Sequence, residues 1–376
     1  MSHTLHKTQF HDAHVKLGAK MVEFANYSMP LSYGPIIDEI NAVRRDCGKF
    51  DVSHMGEFFL VGERAHIAVN ELITNDYTKI SVGMGIYGFL CNDSGYILDD
   101  LICYKISPQI TLICVNASNI ERDRNHIKQF LSTHYPDVEF MDKSRDYSLI
   151  AVQGPLSFEK LPSFLRPSQG LISELPNFSI YPVMSSNDGN PYETVYVAKT
   201  GYTGEMGVEI FIPNNKAMEI WTALDFASNC GLAARDTLRV EAGLPLYGHE
   251  MSLEDKTTPL DLNLKFAIKM NKGNFVGQKA LSLYANPSSI MINLAINSTQ
   301  AKAIPRAGHI VLNNEGIKMG VVTSGTYSPT LKRGIAIARI DYSFSSSLKN
   351  PVQIQIRDAS YPTIICNRSF LKQEFS

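Results

Sequence analysis

The sequence predicts an α+β protein that ends in a separate all-β domain, and two observations support this prediction. Over residues 1–285, helical and extended patterns alternate irregularly, without the regular βαβ order of a parallel sheet. From about residue 288 onward, short β-rich runs are separated by turn residues, which is typical of a small all-β domain. These runs are MINLAI, HIVLN, GVVTSG, IAIARI and PVQIQI. The 376 residues are enough for two or three domains.

Three segments carry the apolar spacing of amphipathic helices. The first follows Pro35 and is expected to end before Gly48. The second, residues 118–131, opens with the S-x-x-E pattern of a capping box. The third covers residues 217–229, and Gly231 is expected to close it.

Three further segments are predicted to be strands. Residues 96–104, YILDDLICY, and 109–115, QITLICV, are apolar on both faces. Residues 260–271, after Pro259, alternate between apolar and polar side chains, which predicts a strand with one buried face. Residues 83–88, GMGIYG, match a dinucleotide-binding fingerprint, but Asn-Asp-Ser-Gly follows and predicts a hairpin turn instead of the required helix.

Composition and charge narrow the functional class. The formal net charge of −2 argues against general nucleic-acid binding. No apolar run approaches the roughly 20 residues of a membrane span, and the start resembles neither a signal nor a transit peptide, so a cytoplasmic location is expected. The six cysteines are scattered, which favours neither disulfides nor a zinc site. The histidines at positions 3, 6, 11 and 14 are interpreted as part of a polar N-terminal stretch rather than a metal site.

The adjacent carboxylates of Asp99 and Asp100 interrupt an apolar strand, where an unpaired charge is costly. Successive strand side chains point to opposite faces, so the two cannot act as one catalytic pair. Asp100 is expected to share its face with Leu98, Ile102 and Tyr104. The alternative is that both carboxylates cap turns at a strand end.

Two other segments place charged groups against the local pattern. In TGYTGEMGVE, the glycines allow close approach of a ligand, and Glu209 enters an apolar strand where its carboxylate needs donors. A plain turn followed by an edge strand is the alternative. In ARDTLRVE, Arg235 and Arg239 lie one helical turn apart and could hold an anionic tail, or they could belong to a surface ion-pair face. Ser53 and His54 are sequence neighbours that point apart in a strand, so no hydrolase dyad is expected.

These sites belong to nine collinear stretches that together resemble the T-protein of the glycine cleavage system and its folate-binding relatives. The stretches are KLGAKMVEFANYSMPLSYG, FDVSHMGE, GYILDDLICY, LICVNASNIERD, IAVQGP, TGYTGEMGVEI, ARDTLRVEAGLPLYGHEM, NFVGQKAL and TSGTYSPTL. The resemblance implies a three-domain ring around a central folate pocket. Its first α+β domain would comprise residues 1–50 and 145–285, its second would be inserted as residues 51–144, and residues 286–376 would form a barrel or jelly roll.

The resemblance also implies site residues. Asp100 would be the catalytic aspartate, Glu209 would bind the pterin and Arg235 would contact the folate. Further candidates for the pocket are Met55, Tyr87, Tyr104, Asn116, Tyr202, Arg239 and Tyr247. Tyr27 and Phe266 stand where relatives often have Trp.

The implied activity is transfer of the aminomethyl carbon from the lipoyl arm of H-protein to tetrahydrofolate, with release of ammonia. A folate-dependent demethylase of a small sulfonium or methylamine is one alternative. A non-catalytic folate-binding protein of iron–sulfur assembly is another, but its K-G-C-Y-x-G-Q-E signature is replaced here by GNFVGQKAL, without the Cys.

Overall fold

The computed structural model describes residues 4–185, 189–298 and 303–372. The helices are α1 His11–Lys16, α2 Ile36–Arg45, α3 Ala65–Leu72, α4 Ile120–His134, α5 Ser157–Lys160, α6 Ala217–Ala223, α7 Leu232–Glu241 and α8 Gln278–Leu281. The strands are β1 Lys20–Phe24, β2 Tyr27–Ser32, β3 Gly48–Asp51, β4 Gly56–Val61, β5 Met84–Cys91, β6 Ile97–Ser107, β7 Ile110–Val115, β8 Glu139–Asp142, β9 Tyr147–Gln153, β10 Ile180–Met184, β11 Val195–Ala198, β12 Gly207–Pro213, β13 Ser228–Asn229, β14 Ser289–Ile296, β15 Ile310–Asn313, β16 Lys318–Ser328, β17 Arg333–Asp341, β18 Val352–Ile356 and β19 Ala359–Cys366.

The first large sheet has the order β10-β11-β12-β9-β3-β13 and is antiparallel except for the short β3–β13 pair. Its strands alternate between two cores, as the period of two requires. On β9, Ile150 and Val152 pack with Trp221 on one face, whereas Leu149 and Ala151 face the other. A sheet with both faces covered explains why β9 and β12 are apolar almost throughout.

The second sheet, β5-β6-β7-β4-β8, is fully antiparallel and comes from one continuous stretch, residues 56–142. One of its faces carries the core that α3 and α4 cover. The opposite face supplies Phe59, Tyr104 and Leu112 to the core that also contains Leu149 and Phe211 of the first sheet. The two sheets therefore share a layer of side chains. The division proposed at residues 50 and 145 stays a prediction, and Asp51 belongs to β3 of the first sheet.

The C-terminal strands form a closed antiparallel barrel in the order β14-β17-β16-β15-β18-β19. Its interior is filled by aliphatic side chains such as Leu294, Val322 and Ile354. Closure leaves no unpaired sheet edge. The predictions of an α+β protein with antiparallel sheets and a C-terminal β-barrel are confirmed.

The local predictions hold for α2 and for the strands β6 and β7, and the hairpin turn after residues 83–88 is confirmed between β5 and β6. The helix expected over 118–131 begins at Ile120 after a short 3₁₀ turn and continues to His134. Ser118 does not cap it: the N-cap is Asn119, and it makes no side-chain capping bond. The capping-box prediction is therefore wrong, although the helix is present.

The strand expected over residues 260–271 is wrong, because two short 3₁₀ turns, Pro259–Leu262 and Lys265–Ala267, occupy it. Asp261 accepts hydrogen bonds from the backbone and hydroxyl of Thr258 and starts the first turn. Leu262 and Leu264 are only 1% exposed, since the segment packs between the second sheet and the barrel. The alternate leucines are buried because the segment packs between two domains. The apolar periodicity of the sequence cannot distinguish this kind of burial from that of a strand.

The helix expected over 217–229 is shorter than predicted and ends at Ala223. Gly231 does not close it but is the N-cap of α7. A Cβ at this position would lie 2.3 Å from the carbonyl oxygen of Leu31, so this glycine allows close approach of two backbone segments.

The N-terminal segment, interpreted above as a polar stretch, packs against the rest of the protein through a buried histidine. His14 on α1 is fully buried and contacts Asp51 and Tyr33 at 2.9 and 2.7 Å. His3 lies outside the described residues. Within the described ranges, no group of three or more His, Cys, Asp or Glu side chains could hold a metal ion, and no helix is long and apolar enough to cross a membrane.

Candidate functional site

The candidate site lies in the layer between the two large sheets. Asp100 on β6 shares its face with Ile102 and Tyr104, which belong to the core common to both sheets. Glu209 on β12 shares its face with Phe211, a member of the same core. The rings of Tyr104 and Phe211 meet edge to face, with centroids 5.6 Å apart. The two carboxyl groups therefore enter one interior layer from opposite sheets.

A β-bulge changes one detail of the expected arrangement on β6. Asp99 pairs with Leu90, but the next pair joins Ile97 to Cys91, so one residue is extra. That residue, Leu98, was expected on the face of Asp100, but it packs into the α3–α4 core on the opposite side. Asp99 and Asp100 still point apart, and Asp99 is 0% exposed while Asp100 is half-buried.

Asp100 is held by two donors. The Tyr87 hydroxyl donates to Oδ2 at 3.0 Å, and the Asn116 amide donates to Oδ1 at 2.8 Å. Burial, and then the negative charge of Asp99, raise the pKa of Asp100 to about 7, although both donors act in the opposite direction. The carboxyl group can therefore exchange a proton near neutral pH.

Asn116 is itself oriented by the other carboxylate. Its backbone N–H and its side-chain amide both donate to Asp99 at 2.9 Å. The neighbouring Asn119 amide donates to Asp99 as well. The alternative in which both aspartates cap turns at a strand end is wrong, because they sit within β6 and Asp100 contacts the side chains of adjacent strands.

Glu209 occupies a central position of the first sheet, so the edge-strand alternative is wrong. The Thr200 hydroxyl donates to its Oε2 at 2.6 Å, and the Tyr104 hydroxyl lies 3.3 Å from the Thr200 oxygen. In the described part of the chain, Oε1 receives no donor. One acceptor oxygen is thus available on a half-buried carboxylate.

Tyr202 and Arg235 connect the two carboxylates. The Arg235 guanidinium lies over the Tyr202 ring, with Cζ 4.7 Å from its centroid. Burial lowers the pKa of Arg235, and the charge of Glu209 opposes that shift. Burial, and then the charge of Asp100, raise the pKa of Tyr202. The charges of Asp100, Tyr202, Glu209 and Arg235 therefore influence one another. We call these four side chains one electrostatic neighbourhood.

The structure separates the two arginines of α7. Arg239 is 0% exposed and donates to Asp236 and to Glu250 at 2.9 and 3.0 Å, and also to Ser324 of the barrel. Arg239 therefore links α7 to the barrel, and its N–H groups donate to acceptors within the protein. The expectation that Arg239 holds a ligand with Arg235 is therefore corrected. Of the surface ion-pair alternative, the contact with Asp236 is present, but Arg239 itself is buried.

The remaining candidates lie around this neighbourhood. Met55 packs at the edge of the core between the sheets, and Tyr104 is fully buried within it. Tyr247 is half-buried, accepts a hydrogen bond from the backbone of Leu253 at 3.0 Å and carries Arg122 over its ring. Ser53 donates to the Leu149 carbonyl oxygen, so it forms no dyad with His54.

Sequence reasoning missed Arg368, a residue just after the last barrel strand. Its Cζ lies 5.0 Å from the ring centroid of Phe266, and that ring lies 6.0 Å from the ring of Tyr87. The positive charge of Arg368 also opposes the rise that burial causes in the pKa of the Tyr87 hydroxyl. An arginine in a short polar tail gives no local signal, because only the fold brings it to the site.

Two cavities of about 280 and 200 Å³ are lined by other residues, one beside β10 and β11 and the other near the N-terminal segment. The site is defined instead by the half-buried polar side chains of Asp100, Asn116, Glu209 and Arg235.

Comparison with known proteins identifies the family. Residues 10–272 match the family model described as the GCVT N-terminal domain, and residues 291–372 match the glycine cleavage T-protein C-terminal barrel domain. An aminomethyltransferase of Thermoanaerobacter pseudethanolicus is 37% identical over 99% of both chains, and one of Thermotoga maritima is 40% identical over 90% of both chains.

A solved structure shows the same fold over its whole length. The crystal structure of glycine cleavage system aminomethyltransferase T from Bartonella henselae has a TM-score of 0.85 and 28% identity, covering 99% of each chain. Both halves of the family pattern and the complete architecture are thus present, and the chain belongs to the glycine cleavage T-protein family.

Proposed function

We propose that this protein is the aminomethyltransferase of the glycine cleavage system, which transfers a one-carbon unit from the lipoyl arm of H-protein to tetrahydrofolate. The observation that carries the proposal is Asp100, a carboxyl group whose pKa is raised to about 7 in the layer that also contains Glu209 and Arg235. Family membership and full-length aminomethyltransferase relatives support the same activity.

The side chains fit the chemical groups of a reduced folate. The Glu209 carboxylate suits the adjacent amino and N–H groups of a pterin, since Oε1 can accept one donor and Oε2 can accept the other beside the Thr200 hydroxyl. The aromatic rings of Tyr87 and Tyr202 offer apolar walls for flat rings. Arg235 and Arg368 provide positive charge for the glutamate carboxylates, with Arg368 exposed where a longer tail would reach solvent. We assign no ligand contact to Arg239.

In the proposed reaction, folate N5 attacks the methylene carbon of the aminomethyl group and the dihydrolipoyl thiol leaves. Closure by N10 then expels ammonia and gives 5,10-methylenetetrahydrofolate. Asp100 accepts or positions a proton of the folate nitrogens and stabilises the cationic one-carbon unit. A group that titrates near the working pH suits this role, because it is readily both ionised and protonated. Tyr87 and Asn116 orient the carboxyl group.

The test is turnover of tetrahydrofolate with aminomethylated H-protein, in which methylenetetrahydrofolate and ammonia are measured together. We expect equal amounts of both products, and none when either substrate is omitted. Free methylated sulfonium and methylamine compounds form the second arm. Turnover of these compounds without any lipoyl carrier would replace the aminomethyl assignment with the demethylase alternative.

A further inference from the structure

A second buried carboxyl group stands directly behind Asp99. Asp123 on α4 is 0% exposed, as is Asp99, and the two carboxyl groups face each other closely enough for each to shift the pKa of the other. Asp99 also receives the backbone N–H and amide of Asn116 and the amide of Asn119. A line of contacts therefore runs from Asp123 through Asp99 and Asn116 to Asp100.

Asp123 lacks the donors that Asp99 has. Among the described residues, neither of its carboxyl oxygens receives a hydrogen from any N–H or hydroxyl group. The nearest positive charge is Arg122, whose Nε lies 4.0 Å from Oδ1, beyond hydrogen-bonding distance. Arg122 instead donates through Nη2 to the carbonyl oxygen of Leu98.

Two carboxylates that face each other in a buried site cannot both stay ionised at moderate pH. The proton resides on the partner whose charged form is less stabilised. Three N–H donors stabilise an ionised Asp99, whereas Asp123 has none. Burial, followed by the charge of Asp99, raises the pKa of Asp123 well above its usual range, and Arg122 only partly opposes this.

We propose that Asp123 is a neutral carboxylic acid that donates its proton to Asp99, and that this pair positions the Asn116 amide against Asp100. Asp123 is thus a positioning residue that acts through Asp99 and Asn116. With the shared proton on Asp123, one negative charge remains on Asp99. This charge is one of the causes that raise the pKa of Asp100 to about 7. The effect on turnover rests on the proposed function, whereas the protonation of Asp123 does not.

Infrared spectroscopy of the full-length protein without substrates tests the protonation. At mildly alkaline pH, we expect a carboxylic-acid C=O band that Asp123→Asn removes. Glu57→Gln is the matched control, because Glu57 is another buried carboxyl group whose pKa is raised well above its usual range by burial. It should remove a separate band and leave that of Asp123. If Asp123→Asn removes no such band, the neutral acid is ruled out.

Kinetics test the positioning role. Asp123→Asn keeps an N–H donor toward Asp99 and changes no charge, so the acid limb of the kcat/KM profile should move by less than about 0.3 pH unit. Asp123→Leu removes the donor and should lower kcat at least about tenfold, with a smaller change in KM. An acid limb displaced by about a full unit in Asp123→Asn, or a folded Asp123→Leu enzyme with wild-type kcat, would overturn the proposal. A wild-type protein inactive with aminomethylated H-protein would refute the proposed function alone, since the infrared result is independent of turnover.

Discussion

Replacing Asp100 with Asn should make the protein more stable and much less active. The ionised Asp100 is held in a buried site beside the charge of Asp99, and its pKa is about 7 instead of 3.8. Because the folded-state pKa is raised, ionisation above pH 3.8 costs folding free energy, and this cost grows until pH 7. At about 1.36 kcal/mol per pH unit, it reaches an upper bound of about 4 kcal/mol.

The pH dependence separates this effect from ordinary repacking. Asn carries no charge, so the advantage of Asp100→Asn over the wild type should increase by about 2.5 kcal/mol between about pH 5 and pH 8. The two polar contacts can persist, since the Asn oxygen accepts from Asn116 and the Tyr87 hydroxyl can accept from the Asn N–H. Turnover should fall by roughly 10²–10⁴, the usual share of a positioned acid–base group.

Urea unfolding measures the stability difference at each pH. Trp221 is the single tryptophan, is 4% exposed and lies in a different core, so its fluorescence reports unfolding without direct influence from position 100. Asp93→Asn, on the exposed turn between β5 and β6, is the matched control and should show no such pH-dependent gain. A stability difference for Asp100→Asn that stays constant between pH 5 and pH 8 would refute the raised pKa, and near wild-type turnover would remove Asp100 from the mechanism.

Three further predictions concern this site and the buried arginine beside it. The kcat/KM of the wild-type enzyme should rise with pH through about 7, because ionised Asp100 is the active form; a profile that is flat between about pH 5 and pH 8 would contradict this assignment. Glu209→Gln should weaken tetrahydrofolate binding by more than about 1 kcal/mol through loss of a charge-assisted contact, and unchanged affinity by calorimetry would exclude that role. Arg239→Gln should destabilise the protein by about 3–5 kcal/mol in urea unfolding, since it leaves buried Glu250 without its ion-pair partner. Arg235→Gln, the neighbouring control, should mainly weaken folate binding, and equal stability losses in both variants would contradict the separation of the two arginines.

Much of the site was predictable because strand geometry is local. Alternation along YILDDLICY establishes that only one carboxylate of the Asp99–Asp100 pair can face a given side, and the structure retains this despite the bulge at Leu98. The apolar run around Glu209 likewise predicted a strand and a carboxylate in need of donors. Their place in one layer between two sheets was not predictable from pattern alone, because it depends on the packing of Tyr104 of β6 against Phe211 of β12, which are far apart in the chain.

The sequence by itself determined the elements whose signals are local: the strands around Asp100 and Glu209, the helix with Arg235, and the β-rich C-terminal part. Tertiary structure alone decided that Arg239 is locked against Glu250 and Ser324 while Arg235 faces the site, and that the leucines after Pro259 form 3₁₀ turns between two domains. It alone brought Arg368 to the ring of Phe266. The physical reason is that periodicity reports which side chains are buried, whereas the partner that buries or neutralises each one comes from residues distant in the chain.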